Sequence, residues 1–272
     1  MMSGSFRLNG RERQELATDG FVVRHQVFAV AECREIAQAV ECLVSDLLAA
    51  KRGRKHVFGS YMFEVQRELG SVVKWEPGAP DVVQGVEPFV HISKPLHDWG
   101  FDQRLIDPSK DVVGQDDIEL FTEKLTMKRA HPGGPIVLHQ DYPYWAPMTP
   151  IADRIMTALI YLDDATVENG CLEVVPGSHA EGVQSGKNVG GFGDNEIDEG
   201  IFDTSRLIPV EAKAGSVVFF GAFLVHRSLP NRSDADRRAL LYSYQPAGHP
   251  HGRVLNGLIN ASRSARVTPT AD

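Results

Sequence analysis

Cysteine is scarce. Cys33, Cys42 and Cys171 are the only three in 272 residues, and none belongs to a Cys-x-x-Cys pair. An odd, scattered set does not make a disulfide framework, so a reducing cytoplasm is the expected setting. Basic excess is also missing: 28 Lys and Arg against 36 Asp and Glu leave a net charge of −8, with a pI of about 5.7. That balance argues against nucleic acid as a partner and against a general attraction to anionic membranes, while leaving room for a local basic pocket. No run reaches the apolar length of a membrane span. The opening "MMSGSFRLNGRERQE" has no apolar stretch of the secretory kind, so no signal peptide is expected. Internal repeats and long low-complexity tracts are absent. What remains is a chain expected to bind a small molecule, as a monomer or a homodimer.

The residues that are present suit one globular domain over 1–272, with 42% hydrophobic and 24% charged residues. "LNGRERQELATDGFVV" reads as a short helix, a turn at Asp19-Gly20 and a strand from Phe21 to Val23. Ile36, Val40, Leu43 and Leu47 recur at helical spacing. That helix is expected to carry Cys33 and Cys42 as small hydrophobes and to stop at Gly53. Between 51 and 118, "KHVFGSYMFEV" and "SVVKWEPG" look extended, and "VEPFVHISKPLHDWGFDQRLI" looks mostly helical. Residues 1–118 are therefore read as a helical layer with pocket elements. From 119 to 247, β-forming runs alternate with Gly, Pro, Asn and Asp, the pattern of a β-sandwich or barrel. Residues 248–272 read as a tail. The Gly-rich stretch 184–200, "QSGKNVGGFGDNEIDEG", reads as a long loop, either a lid or a surface insertion.

"VLHQDYPYW" places His139 and Asp141 two positions apart on an expected strand, where alternation would turn both to one face. A His-x-Asp arises about once by chance in such a composition, so it carries weight only with a distant third ligand. His226, at the end of the apolar run "VVFFGAFLVHRS", is the best candidate. Two histidines and one carboxylate bind one face of Fe(II) and leave positions open for O2 and a cosubstrate. A dicarboxylate such as 2-oxoglutarate would also need a fixed cationic fork for its far end, which favours arginine. Arg237 and Arg238 open the next strand, "RRALLYSY", and alternation sends one of them inward.

With these motifs in place, the chain resembles the phytanoyl-CoA dioxygenase (PhyH-like) family of Fe(II)/2-oxoglutarate oxygenases, which includes ectoine hydroxylases. The resemblance rests on "DGFVVRHQVFAVAEC", "HQDYPYW", "LIYLDDATVENGCLEVVPGSH" and "HRSLPNRSDADRRALLYSY", and runs over most of the chain. It implies a mainly β fold with flanking helices around a double-stranded β-helix (jelly-roll, cupin-like) core. It implies iron held by His139, Asp141 and His226, with 2-oxoglutarate and O2 as cosubstrates. It places Arg237, eleven residues after His226, on the far carboxylate of 2-oxoglutarate, with Ser228 sharing it and Arg238 pointing outward. Trp145 matches an aromatic near cosubstrate or substrate, and Lys124 and Thr126 match polar residues lining the pocket. Related halogenases carry a small residue where Asp141 stands, so the aspartate favours hydroxylation of an unactivated C–H bond, with 2-oxoglutarate decarboxylated to succinate, and leaves desaturation, ring closure and epoxidation open.

Other polar residues have plainer readings. His179, in "PGSH", fits a turn, as do Asn169, Gly170, Asp163 and Asp164. Tyr61, Trp75, His91 and His97 lie in the half that supplies part of the substrate pocket in such folds and read more readily as packing or surface, and His249 and His251 as adventitious metal binders. Lys74, Lys124 and Lys128 hint at an anionic or zwitterionic substrate. Three rivals remain: a cupin-like metalloenzyme that does not use 2-oxoglutarate, a degenerate binding protein, and a structural β-sandwich.

Overall fold

A computed structural model describes residues 5–50, 53–58, 61–131, 133–187 and 195–249. The chain begins with helix α1 (Gly10–Asp19), strand β1 (Phe21–Arg24) and helix α2 (Val30–Ala49). Asn9 and Glu12 form a reciprocal capping box at the start of α1, and Gly20 ends it in a left-handed conformation. In α2, Ile36, Val40, Leu43 and Leu47 are all buried, as their spacing requires. Each contributes about 2 kcal/mol of hydrophobic stabilisation by area. Cys33 is buried beside them, whereas Cys42 is exposed, so only one of the two packs as a hydrophobe. The helix ends at Ala49, ahead of Gly53. The Gly53 N–H instead donates to Glu64.

Four strands follow: β2 (Lys55–Phe58), β3 (Tyr61–Gln66), β4 (Ser71–Glu76) and β5 (Ala79–Glu87). They correct the expected helical layer over 1–118, because they pair in antiparallel order and extend the main sheet. Their short alternating runs were visible, but only pairing across the sheet turns such pieces into stable strands. Helices α3 (Lys94–Gly100) and α4 (Gln103–Val113) come next. The remaining elements are β6 (Ile118–Lys128), β7 (Ile136–His139), the short turn α5 (Tyr142–Trp145), β8 (Met156–Tyr161), β9 (Leu172–Val174), β10 (Ile208–Val210), β11 (Val217–Gly221), β12 (His226–Ser228) and β13 (Arg237–Pro246).

Among the described residues, nine strands form one sheet in the order β1-β11-β8-β13-β6-β5-β4-β3-β2, and four form a second in the order β10-β9-β12-β7. Alternation divides the large sheet into two faces. Ala158, Ile160, Phe219, Leu240 and Tyr242 join α2, α3 and α4 in one core. Their neighbours Leu159, Tyr161, Phe220 and Ala239 pack against Leu172 and Val174 of the small sheet in another. Central strands buried on both faces read as nearly continuous apolar runs, which explains "TALIYL" and "SVVFF". The Tyr242 and Tyr244 hydroxyls donate to the carbonyls of Leu96 and Gly100, seating α3 on β13. The architecture is a mainly β jelly roll with helices on its outer face. Among the described residues, no helix is long and apolar enough to cross a membrane.

Candidate active site

The small sheet brings the two histidines together. In the antiparallel pairing of β12 with β7, His226 lies opposite His139, and their ring centroids are 4.2 Å apart. A register irregularity between His226 and Ser228 bends β12 just there. Asp141 arrives differently from the expectation of a shared strand face. β7 stops at His139, and Asp141 has helical backbone angles (φ −73°, ψ −30°) at the entry to α5. Gln140 causes the break: its buried amide donates to the carbonyls of Gly182 and Phe223 and accepts from the Gln184 N–H. Pro143 then removes a donor that a continuing strand would need. The carboxylate still reaches the histidines, with Asp141 Oδ1 3.8 Å from His139 Nε2.

Among the described residues, His139, Asp141 and His226 form the one group of three whose donor atoms lie close enough to share a metal, all within 4.8 Å of one another. Both imidazoles are oriented for it. His139 Nδ1 bonds to the Val137 carbonyl at 2.8 Å, and His226 Nδ1 to the Leu224 carbonyl at 2.9 Å. A carbonyl only accepts, so the proton sits on Nδ1 and the Nε2 lone pair is free. Burial, together with the neighbouring His226, holds His139 well below the usual histidine range. The donor set therefore fits a divalent transition metal.

Arg237 begins β13 and is buried. Its Nη2 donates to Ser228 Oγ at 3.1 Å, and Ser228 Oγ donates to the Gly170 carbonyl at 2.7 Å. Its Nε is buried with no hydrogen-bond partner among the described residues, and no described acid pairs with it. A guanidinium held this way is costly unless an anion comes to it. Lys128, opposite Arg237 on β6, is not a second fork. Its Nζ donates to the carbonyls of Gly134, Ser228 and Leu229. Burial and the adjacent Arg237 push its amine down to about 6, so the hint of Lys128 as a substrate contact gives way to a structural one. Arg238 points the other way, bidentate on Asp163 and bonded to Glu41. It ties β13 to α2 and is not simply solvated.

The other expected residues fall into two groups. Lys124 and Thr126 lie on the inner face of β6, because Leu125 and Met127 between and beside them belong to the helical-side core. Burial works against the Lys124 charge, but Glu87 and Asp141 hold its ammonium above the usual range. Trp145 is buried against Phe121, Ala152, Ile155 and Ala222, with Lys124 Nζ 5.8 Å from its ring centroid. Away from the site, the His179 ring abuts Gly20, Asn169 closes a local turn, and the Asp164 carboxylate accepts from the distant Ala214 N–H. His91 bonds to the Leu69 carbonyl and His97 to Asp98, both at the surface. His251 and residues 188–194 of the expected loop lie outside the described residues.

The sequence reading missed Gln140, Tyr144 and Glu196. Tyr144 stands edge-on to His139, with centroids 5.8 Å apart. Glu196 forms a β-bridge with His139. Only the Tyr-Pro-Tyr after Asp141 gave a signal; the bridge joins residues far apart in sequence.

Gly170 supports the arginine site through its backbone. Its φ is +75°, and an added Cβ would lie 2.2 Å from the Leu229 carbonyl oxygen. Gly170→Ala is expected to lower the thermal midpoint by about 5 °C or more, from about 1–3 kcal/mol of backbone strain, and to weaken any anion bound at Arg237. An unchanged melting curve would show that the turn relaxes freely.

Comparison with known proteins adds the lineage. Residues 16–239 match the model of the phytanoyl-CoA dioxygenase (PhyH) family. The chain belongs to that family. A phytanoyl-CoA dioxygenase domain-containing protein 1 homolog of Caenorhabditis briggsae is 28% identical over 261 residues, covering 84% of this chain and 87% of the relative. Among solved structures, EctD from S. alaskensis with 2-oxoglutarate and 5-hydroxyectoine superposes with a TM-score of 0.67 at 19% identity, covering 90% of this chain and 78% of that one. The carbocyclase SnoK from nogalamycin biosynthesis superposes at 0.68 and 18% identity, covering 95% and 92%. Both share the fold with this chain.

Proposed function

We propose that this PhyH-family protein is an Fe(II)- and 2-oxoglutarate-dependent dioxygenase that hydroxylates an unactivated C–H bond of a small molecule. One juxtaposition carries the reading: a three-donor metal cluster in the same inter-sheet space as a buried guanidinium that lacks an acidic partner among the described residues. His139 and His226 would each give an Nε2 lone pair, and Asp141 the anionic donor. Arg237 would grip the far carboxylate of 2-oxoglutarate, with Ser228 beside it. Lys124, Thr126 and Trp145 would border the cosubstrate. Bound there, iron and 2-oxoglutarate supply the oxidising chemistry: one oxygen atom of O2 goes to the substrate as hydroxyl, the other to succinate, and CO2 leaves. The complete donor set favours hydroxylation over halogenation, since Asp141 fills the position that an added anion would need.

Anaerobic titration of metal-free protein with Fe(II) and then 2-oxoglutarate tests the reading. The expected result is a saturable visible charge-transfer band that needs both components. A folded protein that gives no band would favour a cupin-like activity independent of 2-oxoglutarate.

A further inference from the structure

Two charged side chains of opposite sign, each with binding capacity left over, face the metal cluster from different elements. The first is Glu196. Its bridge with His139 puts the two side chains on one side of the sheet, with Cβ atoms about 5 Å apart. Their neighbours confirm the facing, because Leu138 and Ile197 share a cluster on the opposite side. Glu196 is 3% exposed. Its Oε2 pairs with Lys187 Nζ at 3.2 Å, while its Oε1 is buried with no hydrogen-bond partner among the described residues. An unsatisfied carboxylate oxygen in such a place costs about 1–3 kcal/mol or more.

The second is Lys74 on β4. Val73 and Trp75 face the helical-side core, so Lys74 faces inward. The register agrees: Lys74 lies opposite Gly85, Gly85 opposite Thr126, and Thr126 opposite Ala239 of the inner core. Gly85 puts no side chain between Lys74 and Thr126, and an added Cβ there would lie 2.7 Å from the Leu125 carbonyl oxygen. The Lys74 ammonium lies 3.7 Å from the Tyr61 ring centroid and has no described carboxylate within ion-pair distance. Burial and the nearby Lys124 push it down to about 7. Such an amine gains a firm charge only when an anion joins it.

We propose that Glu196 and Lys74 select the substrate: the site takes a small zwitterion, its ammonium on Glu196 Oε1 and its carboxylate on Lys74, with the carbon chain between them held across the metal cluster. The inference rests on the dioxygenase reading and deepens it. Tyr61, whose ring supports Lys74 and whose hydroxyl is kept neutral by burial, would form the apolar wall beside the chain.

The test is anaerobic calorimetric titration of the protein loaded with Fe(II) and 2-oxoglutarate. The probes are the L-amino acids and the ω-amino acids from β-alanine to 5-aminovalerate, each beside its N-acetyl derivative and its primary amide. At least one free amino acid is expected to bind, with acetylation and amidation each weakening it tenfold or more. Glu196→Gln should remove the penalty for acetylation, and Lys74→Met the penalty for amidation, with the charge-transfer band unchanged in both. If the band forms and no amino acid binds, or if Glu196→Gln and Lys74→Met keep the parent's discrimination, the zwitterion site is wrong and the dioxygenase reading stands. If the wild-type protein forms no band, the dioxygenase reading itself fails. A variant that melts early is replaced by Glu196→Asp or Lys74→Arg, each expected to keep its charge preference with altered chain-length selection.

Discussion

Succinate formation is expected to fall about a thousandfold or more when Asp141 is replaced by alanine. The estimate starts from outer partners of metal ligands, whose loss costs about 10–100-fold, and a ligand itself counts for more. Asp141 is the only anionic member of the cluster, so its removal leaves two neutral imidazoles to hold a divalent cation. The fold should survive the change. The main-chain carbonyl of Asp141, which accepts from the N–H groups of Tyr144 and Trp145, remains in the variant. Gln140→Ala provides the graded control. It frees the carbonyls of Gly182 and Phe223 and loosens the turn that aims the carboxylate, for an expected loss of about 10–100-fold. Succinate production, retained iron after anaerobic reconstitution, and thermal unfolding should be measured together. Asp141→Ala protein that melts normally and still makes succinate at the parental rate would remove Asp141 from the metal site.

The order of these effects also shows what a linear sequence can and cannot carry. The β-rich half was legible because β8 and β11 read as nearly continuous apolar runs and β13 carries Leu240, Tyr242 and Tyr244 into the helical-side core, and the helix α2 because its buried residues keep a helical period. His139, Asp141 and His226 could be grouped because their residue types and spacing match one kind of chemistry. Strands β2 to β5 were half legible: the segments looked extended, but their membership in the main sheet depends on pairings between distant residues. The path of Asp141 was misread for a similar reason. Two-residue spacing suggests a shared strand face, yet Gln140 finds carbonyls more than forty residues away and turns the chain into α5. Glu196 was out of reach altogether. Nothing local to "DNEIDEG" distinguishes it from its acidic neighbours until the bridge to His139 is known.

Arg237→Ala is expected to raise the 2-oxoglutarate concentration needed for half-maximal turnover by about 30-fold or more, since truncating a buried, hydrogen-bonded charge partner costs about 2–5 kcal/mol. The guanidinium is buried, its Nη2 is fixed by Ser228, and Ser228 is fixed in turn by the Gly170 carbonyl. The fork is thus set before any anion arrives, and preorganisation of this kind is where its binding energy comes from. Lys128 cannot take over, because its amine is committed to three carbonyls. Arg238→Ala should give the opposite pattern. Its guanidinium joins Asp163 and Glu41, so its loss should lower the thermal midpoint and leave the 2-oxoglutarate requirement within about twofold of the parent. Ser228→Ala should fall between them, raising the requirement by about tenfold through a misaimed arginine. Saturation curves for 2-oxoglutarate, measured beside melting curves for all three variants, separate the roles. A normal requirement in Arg237→Ala, or a steep rise confined to Arg238→Ala, would place the cosubstrate's far carboxylate elsewhere.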